Sequence, residues 1–215
     1  MTTITAHAGA LGTKDNTLES IQTCLDFIGK GNIEVDVRFT PGGTPVLGHD
    51  AAEDGLFLSA LFALAKDYPV KINLDMKEKE GNTAAIVELA NAYKLRKRIF
   101  FTGIAAGDVT KVCALGIPYY INVQPTAVPG FRDIEAKRLV KQSMKLGAEG
   151  LNLHHRLCTK KLVDWAHDAG QLVSVWTVDE EDAIRRMLAL GVDNLTTRRP
   201  DLALEIRESS ILTRL

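Results

Sequence analysis

The sequence predicts a (β/α)₈ barrel, an α/β fold formed by one domain over residues 1–215, and three observations carry that prediction. Short β-branched apolar runs alternate with helix-like runs eight times along the chain. Such alternation builds a parallel sheet, and eight units close it into a barrel. Four of the helix-like runs stop at Gly116, Gly147, Gly170 and Gly191, the residue type that ends helices in the left-handed conformation. The competing architecture is an open doubly wound sheet. It is disfavoured because no Gly-rich dinucleotide fingerprint follows the first strand.

The elements follow in order. Ile4–Gly9 reads as the first strand, and Thr17–Gly29 as a helix with a cap-like start and a terminal Gly. Ile33–Thr40 is the second strand. Pro41-Gly42-Gly43-Thr44-Pro45 then breaks the pattern as a tight turn that folds the strand's end back into a small hairpin. The Leu/Ala-rich run Leu56–Asp67 reads as a helix, Lys71–Lys77 as the third strand, and Asn82–Leu95 as its helix. The remaining strands are Ile99–Gly103, Tyr119–Val123, Gly150–His154, Leu172–Val178 and Asn194–Thr197. Their helices are Ala106–Leu115, Asp133–Leu146, Thr159–Ala169, Asp179–Leu190 and Pro200–Glu208, the last with Pro in its first turn. The run Lys94–Arg98 reads as a solvated helix end, and His167 as a surface residue.

At 46% hydrophobic and 25% charged, the composition suits a globular protein. A formal net charge of -1 argues against a broad nucleic-acid surface while allowing a local cationic pocket. Three widely spaced Cys (Cys24, Cys113, Cys158) show no metal spacing and read as small buried thiols in a reducing, cytoplasmic setting. The N-terminal residues carry neither a basic region nor a long apolar stretch, so neither a signal peptide nor a membrane span is expected. The sequence sets no oligomeric state.

Chemistry gathers at the strand ends, where barrels of this kind place their sites. Glu34 and Asp36 stand two apart in the apolar run Ile33-Glu34-Val35-Asp36-Val37. Residues i and i+2 of a strand share a face, so two carboxylates there repel each other and resist desolvation. A divalent cation removes both problems, and hard cations such as Mg²⁺ and Ca²⁺ take oxygen ligands. The third strand repeats the spacing with Asp75 and Lys77, with Asn73 one step deeper. His7 ends the first strand and His49 follows the hairpin; imidazoles suit general acid and base roles. Lys77 adds a point charge for an anion. Together these residues suggest metal-assisted chemistry on a phosphate ester.

Several motifs occur in a telling order: His7-Ala8-Gly9, Asp15-Asn16-Thr17, Glu34-Val35-Asp36-Val37, Thr40-Pro41-Gly42-Gly43, Val46-Leu47-Gly48-His49-Asp50, Asp75-Met76-Lys77 and Val175-Trp176-Thr177-Val178. In this order the chain resembles the glycerophosphodiester phosphodiesterase family, from His7 to about Pro200. The resemblance implies a TIM barrel, one divalent cation (Mg²⁺ or Ca²⁺), and hydrolysis of glycerophosphodiesters to an alcohol and glycerol 3-phosphate. It further implies His7 and His49 as the acid/base pair, Glu34, Asp36 and Asp75 as metal ligands, and Lys77 as a phosphate contact. Trp176 reads as a wall of the substrate site or as rim packing.

The chain departs from the family's pattern at several points. Ala8 stands where the family has a phosphate-gripping Arg; Asp15 and Asp75 stand where Glu is usual. The segment between His49-Asp50 and Lys71 is shorter than the family's usual insertion, and Thr196-Thr197-Arg198-Arg199-Pro200 replaces its T-D-x-P signature. The third-strand D-x-K and the absent Arg also resemble the sphingomyelinase D toxins. A lipid head-group phosphodiesterase or lyase, a catalytically silent metal- and phosphate-binding barrel, and a sugar-phosphate isomerase-type barrel therefore stand as alternatives. Arg198 and Arg199 are candidates for the charge that Ala8 lacks. His154, His155, Asn122 and Gln124 are weaker candidates for substrate contact.

Overall fold

The computed structural model describes residues 1–29, 31–50, 55–78, 81–123 and 133–212. The chain runs β1 (Thr3–Ala6), α1 (Leu18–Ile28), β2 (Asn32–Phe39), β3 (Pro45–Leu47), β4 (Leu56–Phe57), α2 (Leu58–Ala65), β5 (Lys71–Met76) and α3 (Thr83–Ala92). It continues as β6 (Ile99–Ile104), α4 (Thr110–Cys113), β7 (Tyr119–Val123), α5 (Asp133–Lys145), β8 (Gly150–His154) and α6 (Lys160–Asp168). It ends as β9 (Leu172–Trp176), α7 (Glu181–Leu190), β10 (Asn194–Thr197) and α8 (Pro200–Leu212). The parallel strands lie in the order β1, β10, β9, β8, β7, β6, β5, β2, and pairing of β1 with β2 closes the barrel. β3 and β4 extend β2 as a short antiparallel ribbon.

A period of two sorts β1, β2, β5, β8, β9 and β10 into an apolar and a more polar face, while Phe100 of β6 and Tyr120 of β7 meet edge-on on the inner face. Ile33, Val35 and Val37 of β2, Ile72 and Leu74 of β5, and Val173 and Val175 of β9 are buried against the surrounding helices. Each such side chain contributes about 1.5–3 kcal/mol. The alternate positions of β1, β2, β5, β9 and β10 that point into the barrel are largely polar. Thr5 Oγ1 donates to Asn194 Oδ1 at 2.6 Å, and Asn194 Nδ2 donates to Ser174 Oγ at 3.0 Å. This buried network satisfies its own polar groups, as the interior demands. Moving toward the strands' C-terminal ends, the same face carries Glu34, Asp36 and Asp75.

The helices start where side chains can accept their free N–H groups. Thr17 Oγ1 accepts from Ser20 N at 3.2 Å, and Thr159 Oγ1 from Leu162 N at 3.2 Å. The expected helix Leu56–Asp67 begins two residues later, because Leu56 and Phe57 pair with Leu47 and Val46 instead. The expected helix Ala106–Leu115 is a 3₁₀ turn (Ala106–Asp108) followed by the single turn α4. The last helix runs beyond Glu208 to Leu212. Lys94–Arg98 is more than a solvated end. Arg96 Nη2 donates to Leu115 O at 2.6 Å, and Arg98 donates to Lys66 O at 2.8 Å and to Tyr68 O. Cys24 and Cys158 are buried as expected, whereas Cys113 is exposed at the end of α4. His167, on α6, is indeed partly exposed, and its Nε2 lies 2.8 Å from Asp193 Oδ2. No helix among the described residues is long and apolar enough to cross a membrane.

Gly103 makes a bulge at the end of β6 where its register with β7 shifts. Its φ is 77°, and a Cβ placed there would lie 2.3 Å from Met76 O of β5. Gly103→Ala is therefore expected to destabilise the protein by about 1–3 kcal/mol for the backbone alone. That lowers Tm by about 2–4 °C per kcal/mol, readable by calorimetry.

Candidate active site

A cleft of about 460 Å³ opens at the C-terminal ends of the strands, within the size range of small-molecule sites. His7, Glu34, His49, Asp75, Lys77 and Trp176 all line it. Asp36 is not part of the lining; it is buried to 1% exposure, 2.8 Å from the Lys77 ammonium that does line the cleft. The seven residues singled out from the sequence are thus brought to one end of the barrel by β1, β2, the β3 hairpin, β5 and β9.

Register places the carboxylates together. Asp36 of β2 pairs across the ladder with Asp75 of β5, while Glu34 pairs with Asn73. One ligand oxygen from each of Glu34, Asp36 and Asp75 lies within 4.8 Å of the others, so the three could hold a metal ion. Each acid is also held in place. Asn16 Nδ2 donates to Asp36 Oδ2 at 2.9 Å while its Oδ1 accepts from the Asp36 N–H at 3.1 Å. Asn16 does this from a left-handed backbone conformation, φ 58°. Thr102 Oγ1 lies 2.7 Å from Asp75 Oδ1 and 2.9 Å from Asn73 Oδ1. The Ala8 N–H donates to Glu34 Oε2 at 3.2 Å.

The charges are unevenly balanced. Burial pushes the Glu34 carboxyl well above the usual carboxylate range, and the nearby charges of Asp36 and Asp75 push it further. The Asp36 carboxyl is held low because Lys77 and the Asn16 amide outweigh its own burial. Lys77 Nζ stands 2.8 Å from Asp36 Oδ1 and 2.5 Å from Asp75 Oδ2. Burial opposes that charge, but the two acids raise the Lys77 ammonium above its ordinary range all the same. Asp36 Oδ1 is buried and meets the Lys77 ammonium at 2.8 Å. Three converging buried or half-buried carboxylates that already attract a cation fit a hard divalent ion.

His7 lies next to this cluster, with Nε2 3.7 Å from Glu34 Oε2. Its Nδ1 faces the Ala8 carbonyl, which can only accept, so Nδ1 carries the proton and Nε2 presents its lone pair. Burial lowers the His7 pKa and the Arg198 charge adds to that lowering, outweighing the Ala8 carbonyl and the nearby acids, which favours the neutral ring. Gly9 follows, with φ 77°; a Cβ there would lie 1.8 Å from Asp15 Oδ1, so the glycine lets Asp15 pack over the turn. His49 is exposed at the hairpin's end. Its Nδ1 lies 2.9 Å from Asp50 Oδ1, and the Arg38 Nε–H anchors its carbonyl at 2.8 Å.

Trp176 lines the cleft and meets the His154 ring edge-on at 5.5 Å, while His155 stacks on His154 at 4.5 Å. Asn122 lines the cleft, where its Oδ1 accepts from the Gly103 N–H and from Asn152 Nδ2. Gln124 lies outside the described residues. The structure adds Asn16 and Thr102 as supports for the acids. The motif Asp15-Asn16-Thr17 was visible in the sequence, but no periodicity places Asn16 opposite Asp36.

The family model for the glycerophosphoryl diester phosphodiesterase family matches residues 70–202. The glycerophosphodiester phosphodiesterase of Bacillus altitudinis is 23% identical over 250 residues, covering 97% of this chain and 99% of that protein. Among solved structures, a protein of Agrobacterium tumefaciens assigned as a glycerophosphoryl diester phosphodiesterase superposes with a TM-score of 0.86 at 20% identity, covering 99% of each chain. A phosphodiesterase of Oleispira antarctica, solved in complex with the product sn-glycerol-3-phosphate, gives 0.77 at 19% identity, covering 97% of each chain. These structures share the barrel, and the family match extends over most of it. The chain belongs to the glycerophosphoryl diester phosphodiesterase family, whose members are phosphoric diester hydrolases.

Proposed function

We propose that this protein hydrolyses glycerophosphodiesters to an alcohol and glycerol 3-phosphate, with one divalent cation, Mg²⁺ or Ca²⁺, held by Glu34, Asp36 and Asp75. The observation that carries this reading is the convergence of those three carboxylates beside the free Nε2 of His7 in one cleft. Such a cation, when bound, supplies Lewis-acid polarisation of the phosphate and offsets the charge that builds on its oxygens. His7 Nε2 takes a proton from the attacking water as the new phosphorus–oxygen bond forms. Its lowered pKa keeps that lone pair available. His49, steadied through Nδ1 by Asp50, gives a proton from Nε2 to the leaving alkoxide as its bond to phosphorus breaks. Lys77 neutralises Asp36 and Asp75 in the free protein and contributes positive charge toward the bound phosphate. Trp176 forms part of the wall on which the substrate lies.

The Oleispira antarctica complex supports glycerol 3-phosphate as the product class. Three free cysteines, two of them buried, support a reducing compartment such as the cytoplasm. Incubation with glycerophosphocholine, glycerophosphoethanolamine and a choline phosphodiester lipid, followed by ³¹P NMR, tests the reading. Glycerol 3-phosphate from the first two is expected. A product only from the lipid, only a cyclic phosphate, or no product at all would each contradict it.

A further inference from the structure

The cleft must neutralise an anionic diester, yet its cations are not equally free to do so. Ala8 is buried with Ser20, Ile21 and Cys24 behind the β1 end, and brings only a methyl group. Lys77 is within 2.8 Å of two carboxylates, which cancel much of its charge. Arg199 points away, with its guanidinium 3.1–3.3 Å from Asp201. Arg198 differs from all three. It lines the cleft from the loop between β10 and α8, next in barrel order to β1 and its His7.

The backbone of Arg198 is fixed from two sides. Its N–H donates to Asp179 Oδ1 at 2.7 Å, and its carbonyl accepts from the Leu11 N–H at 3.0 Å. Its guanidinium is held loosely by contrast. Nη1 lies 3.5 Å from Asp179 Oδ2 and Nη2 3.6 Å from Asp15 Oδ2, and the side chain is 43% exposed. These are long contacts for a charged pair, whose bonded N···O distance is about 2.7–2.9 Å. A planar group with five N–H donors is thus aimed by a rigid backbone and keeps spare donors toward the cleft.

Resting on the phosphodiesterase reading, we propose that Arg198 is the phosphate-gripping residue of this site, binding the non-bridging oxygens of the diester and of its phosphomonoester product. Barrel order runs from β10 with Arg198 to β1 with His7, β2 with Glu34 and Asp36, and β5 with Asp75 and then Lys77, so Arg198 stands on the opposite side of His7 from the acids and Lys77. The phosphate lies between the two cations, within reach of the His7 imidazole. The β10–α8 loop supplies the cation that the first strand lacks.

The test compares the wild-type protein with Arg198→Ala, Arg198→Lys and Arg199→Ala. KM for glycerophosphocholine and the Kd of glycerol 3-phosphate, measured by calorimetry, are the readouts. Arg198→Ala is expected to raise both by about 10–100-fold, the worth of charge-assisted hydrogen bonds. Arg198→Lys should recover part of that loss, and Arg199→Ala should leave both unchanged. A purely structural Arg198 would instead lower Tm or kcat while glycerol 3-phosphate affinity stayed constant, which would overturn the proposal. If the wild-type protein hydrolyses nothing but binds glycerol 3-phosphate through Arg198, the activity reading fails and the binding role stands. If it neither hydrolyses the diester nor binds the monoester, both fail.

Discussion

Replacing His7 by alanine is expected to lower kcat for glycerophosphodiester hydrolysis by about 10²–10⁴-fold, the usual worth of a positioned general base. KM should change far less, because the imidazole acts on the water proton rather than on the bound ester. The tautomer supports this role: Nδ1–H is committed to the Ala8 carbonyl, so Nε2 is left as a base. The pH profile adds a second signature. Burial and Arg198 lower the His7 pKa from 6.5, so the wild-type rate should fall only as pH drops below that ordinary value. In His7→Ala that acid limb should disappear along with most of the rate. Initial rates over a pH series measure both effects; a variant within a few-fold of wild type, with the same profile, would remove His7 from the chemistry.

If Glu34 holds the proposed cation, Glu34→Gln is expected to cost activity on the order of 10³-fold or more, because it would remove one charged ligand and several kcal/mol of transition-state stabilisation. The same change should make the metal-free protein more stable at alkaline pH. The sign follows from the direction of the shift. Burial and the neighbouring acids raise the Glu34 carboxyl above its ordinary 4.5, so the native state holds this proton more tightly than the unfolded chain. Stability therefore falls as pH rises from about 4.5 through the raised native value. Glutamine carries no ionisable proton and escapes that loss. Thermal melts in chelator at pH 5 and pH 8 should show the variant gaining on wild type at the higher pH, by about 2–4 °C per kcal/mol relieved. Added divalent ion should narrow or reverse the gap. A variant less stable than wild type at pH 8 in chelator would show that the acids do not repel one another as their geometry implies.

Much of this was legible in the sequence for a specific reason. A period of two fixes faces, so Glu34 with Asp36, and Asp75 with Lys77, had to share a side of their strands. The βα rhythm then put both strands at one barrel mouth. What the pattern could not give was register. Asp36 lies opposite Asp75 rather than Asn73, which is a property of the ladder between β2 and β5. The contacts of loop-borne residues were equally hidden, although Arg198 itself was a candidate from the sequence. Asn16 reaches Asp36 from a left-handed turn, and Arg198 is aimed by a backbone bond to Asp179. The helix boundaries slipped where tertiary pairing overrode propensity: Leu56 and Phe57 read as helix by composition but complete a ribbon with β3. Lys77 was read as a phosphate contact; in the free protein its ammonium rests on the acids.

The most direct measurement is a metal titration of activity. The protein is stripped with EDTA, then assayed on glycerophosphocholine with Mg²⁺ or Ca²⁺ added back, beside Asp36→Asn under the same conditions. The expected result is no turnover in EDTA, saturable recovery with at least one of the two ions, and little recovery in Asp36→Asn at any concentration tested. Turnover that is indifferent to EDTA and survives in Asp36→Asn would contradict a cation site at Glu34, Asp36 and Asp75.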